Sequence, residues 1–303
     1  MRRRLPDILH RLESGGLETS THATTGEGDA VLAARDAVSR GFDIIIAAGG
    51  DGTLNEVING LAEQPHRPQL GILPLGTTND FARAMGIPRN YEVACDLILR
   101  QSTVPIDIGK VNQKYFINIA GGGSLTELTY EVPSRLKTIL GQLAYYVKGL
   151  EKLPSLKPIK VMVETDEETL QEEIMLFLAA NSNSVGGFEK LAPEASLSDG
   201  KLDLLLLRKC NLADFIRIVT AAMRGDHMND PYIKYIRTSK INVTSTDYVQ
   251  LNLDGEYGGT LPCEISVLPS HLEVFADESG KLSYKTGSRP RAIPSRLLEE
   301  LEE

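Results

Sequence analysis

Two short constellations in this sequence have residue types and spacing that could do chemistry. The first is Gly49-Gly50-Asp51-Gly52-Thr53-Leu54-Asn55-Glu56. Glycines so dense allow torsions closed to other residues and let a bulky anion approach the main chain. Free N–H groups at the start of a following helix would face that anion, with the helix dipole in support. Asp51 adds a carboxylate where a phosphate-bound metal ion would stand. The pattern suits a nucleotide phosphate. It is neither a Walker A loop, since no Gly-Lys-Ser/Thr follows, nor the dinucleotide fingerprint. Thr53 and Glu56 also have the spacing of a capping box, which would serve only to start the helix. The second constellation is Leu253-Asp254-Gly255-Glu256, an acid pair at the end of an alternating strand. A hydroxyl nucleophile needs a base, and a carboxylate within hydrogen-bond reach accepts its proton. Asp-Gly is equally the ordinary chemistry of a hairpin turn.

Other acids stand at turns. Gly76-Thr77-Thr78-Asn79-Asp80-Phe81 follows a strand and opens a helix, so it would hold ribose or phosphate, or simply cap the helix. Asp107 lies between two isoleucines, where a carboxylate is either buried with partners or functional. Asp199-Gly200 precedes a strand and reads more readily as a turn than as a metal site.

The elements that must position these residues fall into two textures. Helices are predicted over 5–12, 29–38, 54–61, 79–85 and 93–99, with an extended segment at 18–23 and strands at 44–48 and 70–74. The run Ile44-Ile45-Ile46-Ala47-Ala48 has the apolar continuity of a parallel strand covered on both faces. Alternation of this kind predicts a doubly wound α/β nucleotide-binding domain over 1–105, with ligands at the carboxyl ends of its strands. Beyond it, short β-rich runs at 115–120, 159–164, 173–179, 202–207, 240–245, 249–254, 264–268 and 273–276 predict an antiparallel β-sandwich domain over 106–276. Helices at 136–153 and 212–223 interrupt it. The tail, 277–303, is polar, with a short helix expected from Pro294.

With 41 Asp and Glu against 32 Lys and Arg in 303 residues, the balance argues against nucleic acid as a partner. Cys95, Cys210 and Cys263 have no paired spacing, so neither a disulfide framework nor a thiolate zinc site is expected. The five histidines are likewise scattered without metal-ligand spacing. No apolar stretch reaches the ~18 residues of a membrane span. A cytoplasmic protein is expected.

Taken together, these motifs resemble the lipid-kinase superfamily of diacylglycerol and sphingosine kinases, most closely the soluble bacterial diacylglycerol kinases. Gly49 to Glu56 is similar to the family's nucleotide signature, Gly76 to Ala82 to its second loop, and Leu253 to Glu256 to the stretch carrying its general base. Asp107-Ile108-Gly109, Val185-Gly186-Gly187-Phe188 and Leu197-Ser198-Asp199-Gly200 also look like family segments. The resemblance implies an NAD kinase/phosphofructokinase-like first domain, a β-sandwich second domain and transfer of the ATP γ-phosphoryl group to diacylglycerol. It implies Glu256 as general base, with Asp254 and Asp51 as further catalytic acids. Thr24, Gly50, Asp51, Gly52, Thr53, Leu54, Asn55, Glu56 and Thr77 would line the nucleotide. Asp51, Asp80, Asp107 and Asp254 would form a magnesium and water network. Asp199, with the carbonyls of Ser196 and Lys201, would hold a structural Mg2+. A homodimer is also implied. The family opens on a strand and an Asn-Pro-x-Ser-Gly loop, whereas this sequence opens on Arg2-Arg3-Arg4-Leu5-Pro6; an added upstream strand and loop is expected to raise stability and activity.

The acceptor would lie in a bilayer. Arg135, Lys137, Lys148, Lys152, Lys157 and Lys160 stand against Glu151 alone, beside an apolar side of Ile139, Leu143, Tyr146, Val147 and Leu150. This segment reads as a peripheral contact with the anionic inner membrane face, each basic residue adding ~1 kcal/mol, or as a core-facing helix with a solvated cationic side. Lys148 and Lys152 are the expected membrane contacts. The alternatives are a kinase for another hydroxyl lipid, an NAD kinase, which shares the first motif, and a non-catalytic lipid-binding protein.

Overall fold

The structure is a computed structural model and describes residues 3–124, 126, 157–183 and 190–277. Lys148, Lys152, the expected helix at 136–153, the segment Val185 to Phe188 and the expected C-terminal helix lie outside the described residues.

Helix α1 (Leu5–Ser14) takes Pro6 in its first turn, where the missing N–H costs nothing, and buries Ile8 and Leu12 one turn apart. The segment 18–23, expected to be extended, forms no strand. Its side chains are exposed or half-buried, so no apolar face holds it to a sheet. Helix α2 (Asp29–Ser39) leads into strand β1 (Ile44–Gly49), helix α3 (Asp51–Leu61) and strand β2 (Gln69–Pro74). β1 and β2 are parallel, from Ile44 against Gln69 to Gly49 against Pro74. β2 is buried at all but its first residue, whereas β1 buries fully only Ala47. Among the described residues β1 lies at the end of the sheet with β2 as its single neighbour, so the cover expected on both faces is incomplete. Helices α4 (Asp80–Ala84) and α5 (Tyr91–Leu99) follow, the latter capped by Asn90, whose side chain accepts from Glu92 N and Val93 N.

The second half is antiparallel. Its strands are β3 (Thr103–Val111), β4 (Lys114–Phe116), β5 (Ile119–Gly122), β6 (Ile159–Thr165), β7 (Thr169–Ala180) and β8 (Leu202–Arg208). After helix α6 (Leu212–Arg224) come β9 (Ile233–Thr238), β10 (Lys240–Ser245), β11 (Gln250–Leu253), β12 (Glu256–Thr260) and β13 (Cys263–Phe275). Alternation is visible in β6, where Ile159, Val161 and Val163 are buried and Lys160, Met162 and Glu164 are exposed.

Two strands expected as continuous or separate come out otherwise. The run 115–120 is broken between β4 and β5, because the N–H groups of Ile117 and Asn118 are taken by a side chain, Asp254. The runs 264–268 and 273–276 are one strand, β13, which carries an irregularity between Leu268 and Leu272. Through β13 the two halves join: Val274 pairs in parallel with Leu70 of β2, and β3 runs antiparallel along nearly its whole length. Val104, Ile106 and Ile108 of β3 and Leu272, Val274 and Phe275 of β13 belong to the core under the helices. Val111, Ile265 and Val267, on the same two strands, belong to the sandwich core with Phe116, Phe177 and Leu251. The fold is thus a mixed α/β first half followed by a β-sandwich-like second half. Among the described residues no helix is long and apolar enough to cross a membrane.

Candidate active site

The glycine-rich loop falls between β1 and α3, at the carboxyl end of β1. Its glycines do not serve the torsional role expected of them, since none of Gly49, Gly50 and Gly52 has positive φ. Space is the reason instead. A Cβ on Gly76, in the second loop, would come to 2.4 Å from the Cα of Gly50. The two loops therefore touch backbone to backbone, and Leu75 N and Gly76 N both donate to Gly49 O at 2.9 and 3.1 Å. Around Gly52 a Cβ would meet nothing within 4 Å, so that side of the loop is open.

The capping box is not formed. Gly50 is the N-cap of α3 and no side chain caps it. Glu56 points away and accepts from Gly28 N and Ala30 N, both at 3.0 Å, so it caps α2 instead. This contact draws the loop containing Thr24, itself exposed, against α3. Asp51 accepts from Phe81 N at 3.4 Å, which brings the first turns of α3 and α4 to one place. Gly50, Asp51, Pro74, Asn79 and Ala82 line a small recess there. Asn79 closes the second loop, accepting from Gly76 N at 3.1 Å and donating to Gly76 O at 2.8 Å. Arg89, which the sequence did not single out, donates to the carbonyls of Gly76 and Thr77. Asp80 is half-buried and paired with Arg83. Thr77 is exposed beside them.

The acid pair is divided in role by burial. Glu256 is exposed at the first residue of β12. Asp254 is half-buried and accepts four hydrogen bonds: Ile117 N at 2.8 Å and Asn55 Nδ2 at 2.9 Å on one oxygen, Asn118 N and Ile119 N at 2.9 Å on the other. Burial pushes its carboxyl up, against the pull of these donors. Every donor is an N–H, so the ionised form is the one the site holds. With two donors on each oxygen, the Asp254 carboxylate is committed to holding the protein around it. Asn55 and Asn59, one turn apart on α3, also hold Tyr115 of β4, whose N–H donates to Asn59 Oδ1 at 3.0 Å. Asn55 itself stands one turn beyond Asp51. The side-chain contact of Asn55 with Asp254 therefore connects the helix that begins at the glycine-rich loop to the turn that bears Glu256.

Asp107 is buried and used structurally: its oxygens accept from Gly200 N and Ser270 N, both at 2.7 Å. The structure joins it to the Asp199 turn rather than to Asp51 or Asp80. Asp199 accepts from Lys201 N at 3.0 Å and pairs with Arg237, so both its oxygens are engaged. Ser196 is half-buried in the same loop. Among the described residues no three His, Cys, Asp or Glu side chains converge to hold a metal ion by themselves. A magnesium ion would instead arrive on nucleotide phosphates and need one or two carboxylates. Asp51, with one oxygen in a single long contact, fits that demand.

Residues 1–111 match the diacylglycerol kinase catalytic domain, and residues 128–276 match the YegS C-terminal NAD kinase beta sandwich-like domain. The diacylglycerol kinase of Bacillus subtilis (strain 168) is 59% identical over 274 residues, covering 90% of each chain. The chain belongs to the diacylglycerol kinase family. The diacylglycerol kinase of Staphylococcus aureus (strain Newman) is 49% identical over 275 residues, covering 91% of this chain and 87% of that one. Among solved structures, a diacylglycerol kinase from Bacillus anthracis str. Sterne superposes with a TM-score of 0.78 at 27% identity, covering 92% of both chains. The family bears out the α/β-plus-sandwich architecture and a kinase that uses ATP.

Proposed function

We propose that this protein transfers the γ-phosphoryl group of ATP to the free hydroxyl of diacylglycerol, forming phosphatidate. The observation that carries the reading is the contact between Asn55 and Asp254, at 2.9 Å, which sets the turn bearing Glu256 beside the helix that begins at the nucleotide loop. The Glu256 carboxylate takes the hydroxyl proton, the hydroxyl oxygen attacks the γ-phosphorus, and the bond to the β–γ bridging oxygen breaks to release ADP. Phosphoryl transfer of this kind asks for positioning and charge neutralisation more than for covalent help.

In this reading Gly50, Asp51, Gly52, Thr53 and Leu54 cradle the phosphates, and Thr77 lies beside them from the second loop. Glu56 acts indirectly, by holding the Thr24 loop in place. Magnesium, bound with the nucleotide, would be held by Asp51 with Asp80 close by, and would neutralise developing phosphate charge. Asp107 and Asp254 position elements rather than ligate it. Lys148 and Lys152 contact the anionic inner membrane face, where the protein acts peripherally as a homodimer.

The experiment is phosphatidate formation from diacylglycerol, ATP and magnesium in mixed micelles, with Glu256→Gln beside the parent. Loss of ~10²–10⁴-fold in the variant is expected of a general base. Equal rates would remove Glu256 from that role, and turnover of a soluble dinucleotide in place of the lipid would redirect the acceptor. Lys148 and Lys152 changed to Glu should weaken sedimentation with anionic vesicles; unchanged binding would discard that contact.

A further inference from the structure

We infer that Asp254 is a positioning residue for the reaction: its fully hydrogen-bonded carboxylate fixes the turn that presents Glu256 against the helix that begins at the nucleotide loop. The inference rests on Glu256 as the base, and goes beyond it by naming what sets that base in place. Each Asp254 oxygen already accepts two hydrogen bonds, which commits the carboxylate to holding its surroundings in place. Its donors come from two separate elements. Three are main-chain N–H groups of residues 117–119, at the break between β4 and β5, and the fourth is the amide of Asn55 on α3.

The turn is held from the backbone as well. Asp254 N donates to Ile119 O at 3.0 Å, and Gly255 N donates to Asn252 Oδ1 at 2.9 Å. Asp254 has φ 52° and Gly255 φ 100°. Glycine takes the second value without penalty, and aspartate is among the few other residues that tolerate the first, as an Asp-Gly hairpin turn requires. Glu256 follows directly and is exposed, so its location is inherited from this turn. On the other side, Asn59 Nδ2 donates to Asn55 Oδ1 at 3.1 Å, which fixes the orientation of the Asn55 amide so that Nδ2 faces Asp254. A shift of the first turns of α3 therefore reaches the turn before Glu256 directly through the Asn55 amide, and indirectly through the Asn59 contacts to Tyr115 of β4.

The test measures initial rates of the full chain in mixed micelles for Asn55→Ala and Asp254→Asn, each alone and combined with Glu256→Gln. Asn55→Ala leaves three donors on Asp254 and is the milder change. It should lower kcat by about 10- to 100-fold, the scale on which misplacement of a reacting group by ~1 Å acts. The KM for ATP should change less than kcat, since the Asn55 amide donates to Asp254 and to the Tyr115 carbonyl. In the Glu256→Gln background the same substitution should cost less than about threefold, because no base remains to be misplaced. Asp254→Asn should behave alike; should it fail to fold in a melting experiment, the Asn55→Ala arm decides alone. A raised KM for ATP with kcat unchanged, or losses that multiply in the double variant, would overturn the proposal. Parent-level activity in Glu256→Gln alone would instead overturn the base itself.

Discussion

Gly76 approaches Gly50 so closely that a Cβ on Gly76 would lie 2.4 Å from the Gly50 Cα and 2.8 Å from Asn79 Oδ1. No side-chain motion can relieve the first contact, because a backbone atom makes it. Gly76→Ala must therefore part the two loops that form the phosphate recess. We expect at least a tenfold rise in the KM for ATP, with a fall in melting temperature of a few degrees for ~1 kcal/mol of overpacking. Gly52→Ala is the matched control, since its Cβ meets nothing within 4 Å. It should hold or slightly raise the melting temperature, as alanine does in place of a helical glycine, and any loss of ATP affinity in it would report contact with the ligand. Equal kinetics for Gly76→Ala and the parent would show that the loops do not need their contact.

Glu56 belongs to the nucleotide signature, yet its two oxygens accept from Gly28 N and Ala30 N at the start of α2. A carboxylate at a helix N-terminus satisfies orphan donors and opposes the dipole. Glu56→Ala should destabilise by about 1–3 kcal/mol in a denaturant titration. Glu56→Gln, which keeps one acceptor, should recover about half of that. Identical losses for the two variants would mean that charge alone matters.

The parts legible in the sequence were those with local cause. Glycine density followed by Leu54, Val57, Ile58 and Leu61 marked the turn into α3, and alternation marked β6 and β10. Strand β9 has no legible signature, because Lys234, Tyr235 and Arg237 interleave its apolar residues and only Ile236 and Thr238 are fully buried. The role of Asp254 was illegible for a different reason: its partner Asn55 lies 199 residues away, and nothing in either segment announces the other. Asn59 carried a readable signal, a second amide one turn after Asn55 on a helix whose other face is apolar. For Asp107 the sequence allowed burial with partners or function, and only the fold could supply Gly200 and Ser270 as those partners.

The Asp199 turn tests whether a cation binds there. Its carboxylate pairs with Arg237, whose guanidinium is also 4.0 Å from Glu194 and 3.5 Å from Asp203. A magnesium ion at Asp199 has to displace that guanidinium. Arg237→Met removes the competitor and keeps the apolar stem, leaving three acids without their cation. Magnesium at millimolar concentration should then raise the melting temperature of the variant by several degrees more than that of the parent, through binding to the native state alone. No difference between the two responses would show that the turn holds no cation and that the ion pair is its complete structure.

Asp203 makes stability depend on pH near neutrality. Burial pushes its carboxyl up to about 7, with Asp199 and Glu194 adding to the rise and Arg237 opposing it. One oxygen accepts from the Tyr235 hydroxyl, while the other is buried without a partner among the described residues. The native state therefore keeps the proton over a range in which the unfolded chain, titrating near 3.8, has lost it. Fewer protons on the unfolded chain mean that stability falls as pH rises, beginning near pH 4 and levelling above about 7. Asp203→Asn has no proton to lose and should flatten this part of the profile. The variant should gain on the order of 1–3 kcal/mol relative to the parent between pH 5 and pH 8. Denaturant titrations at pH 5, 6, 7 and 8 would measure it. A parent profile that rises over this interval, or a variant that follows the parent slope, would mean that Asp203 is ionised in the fold and paired with Arg237.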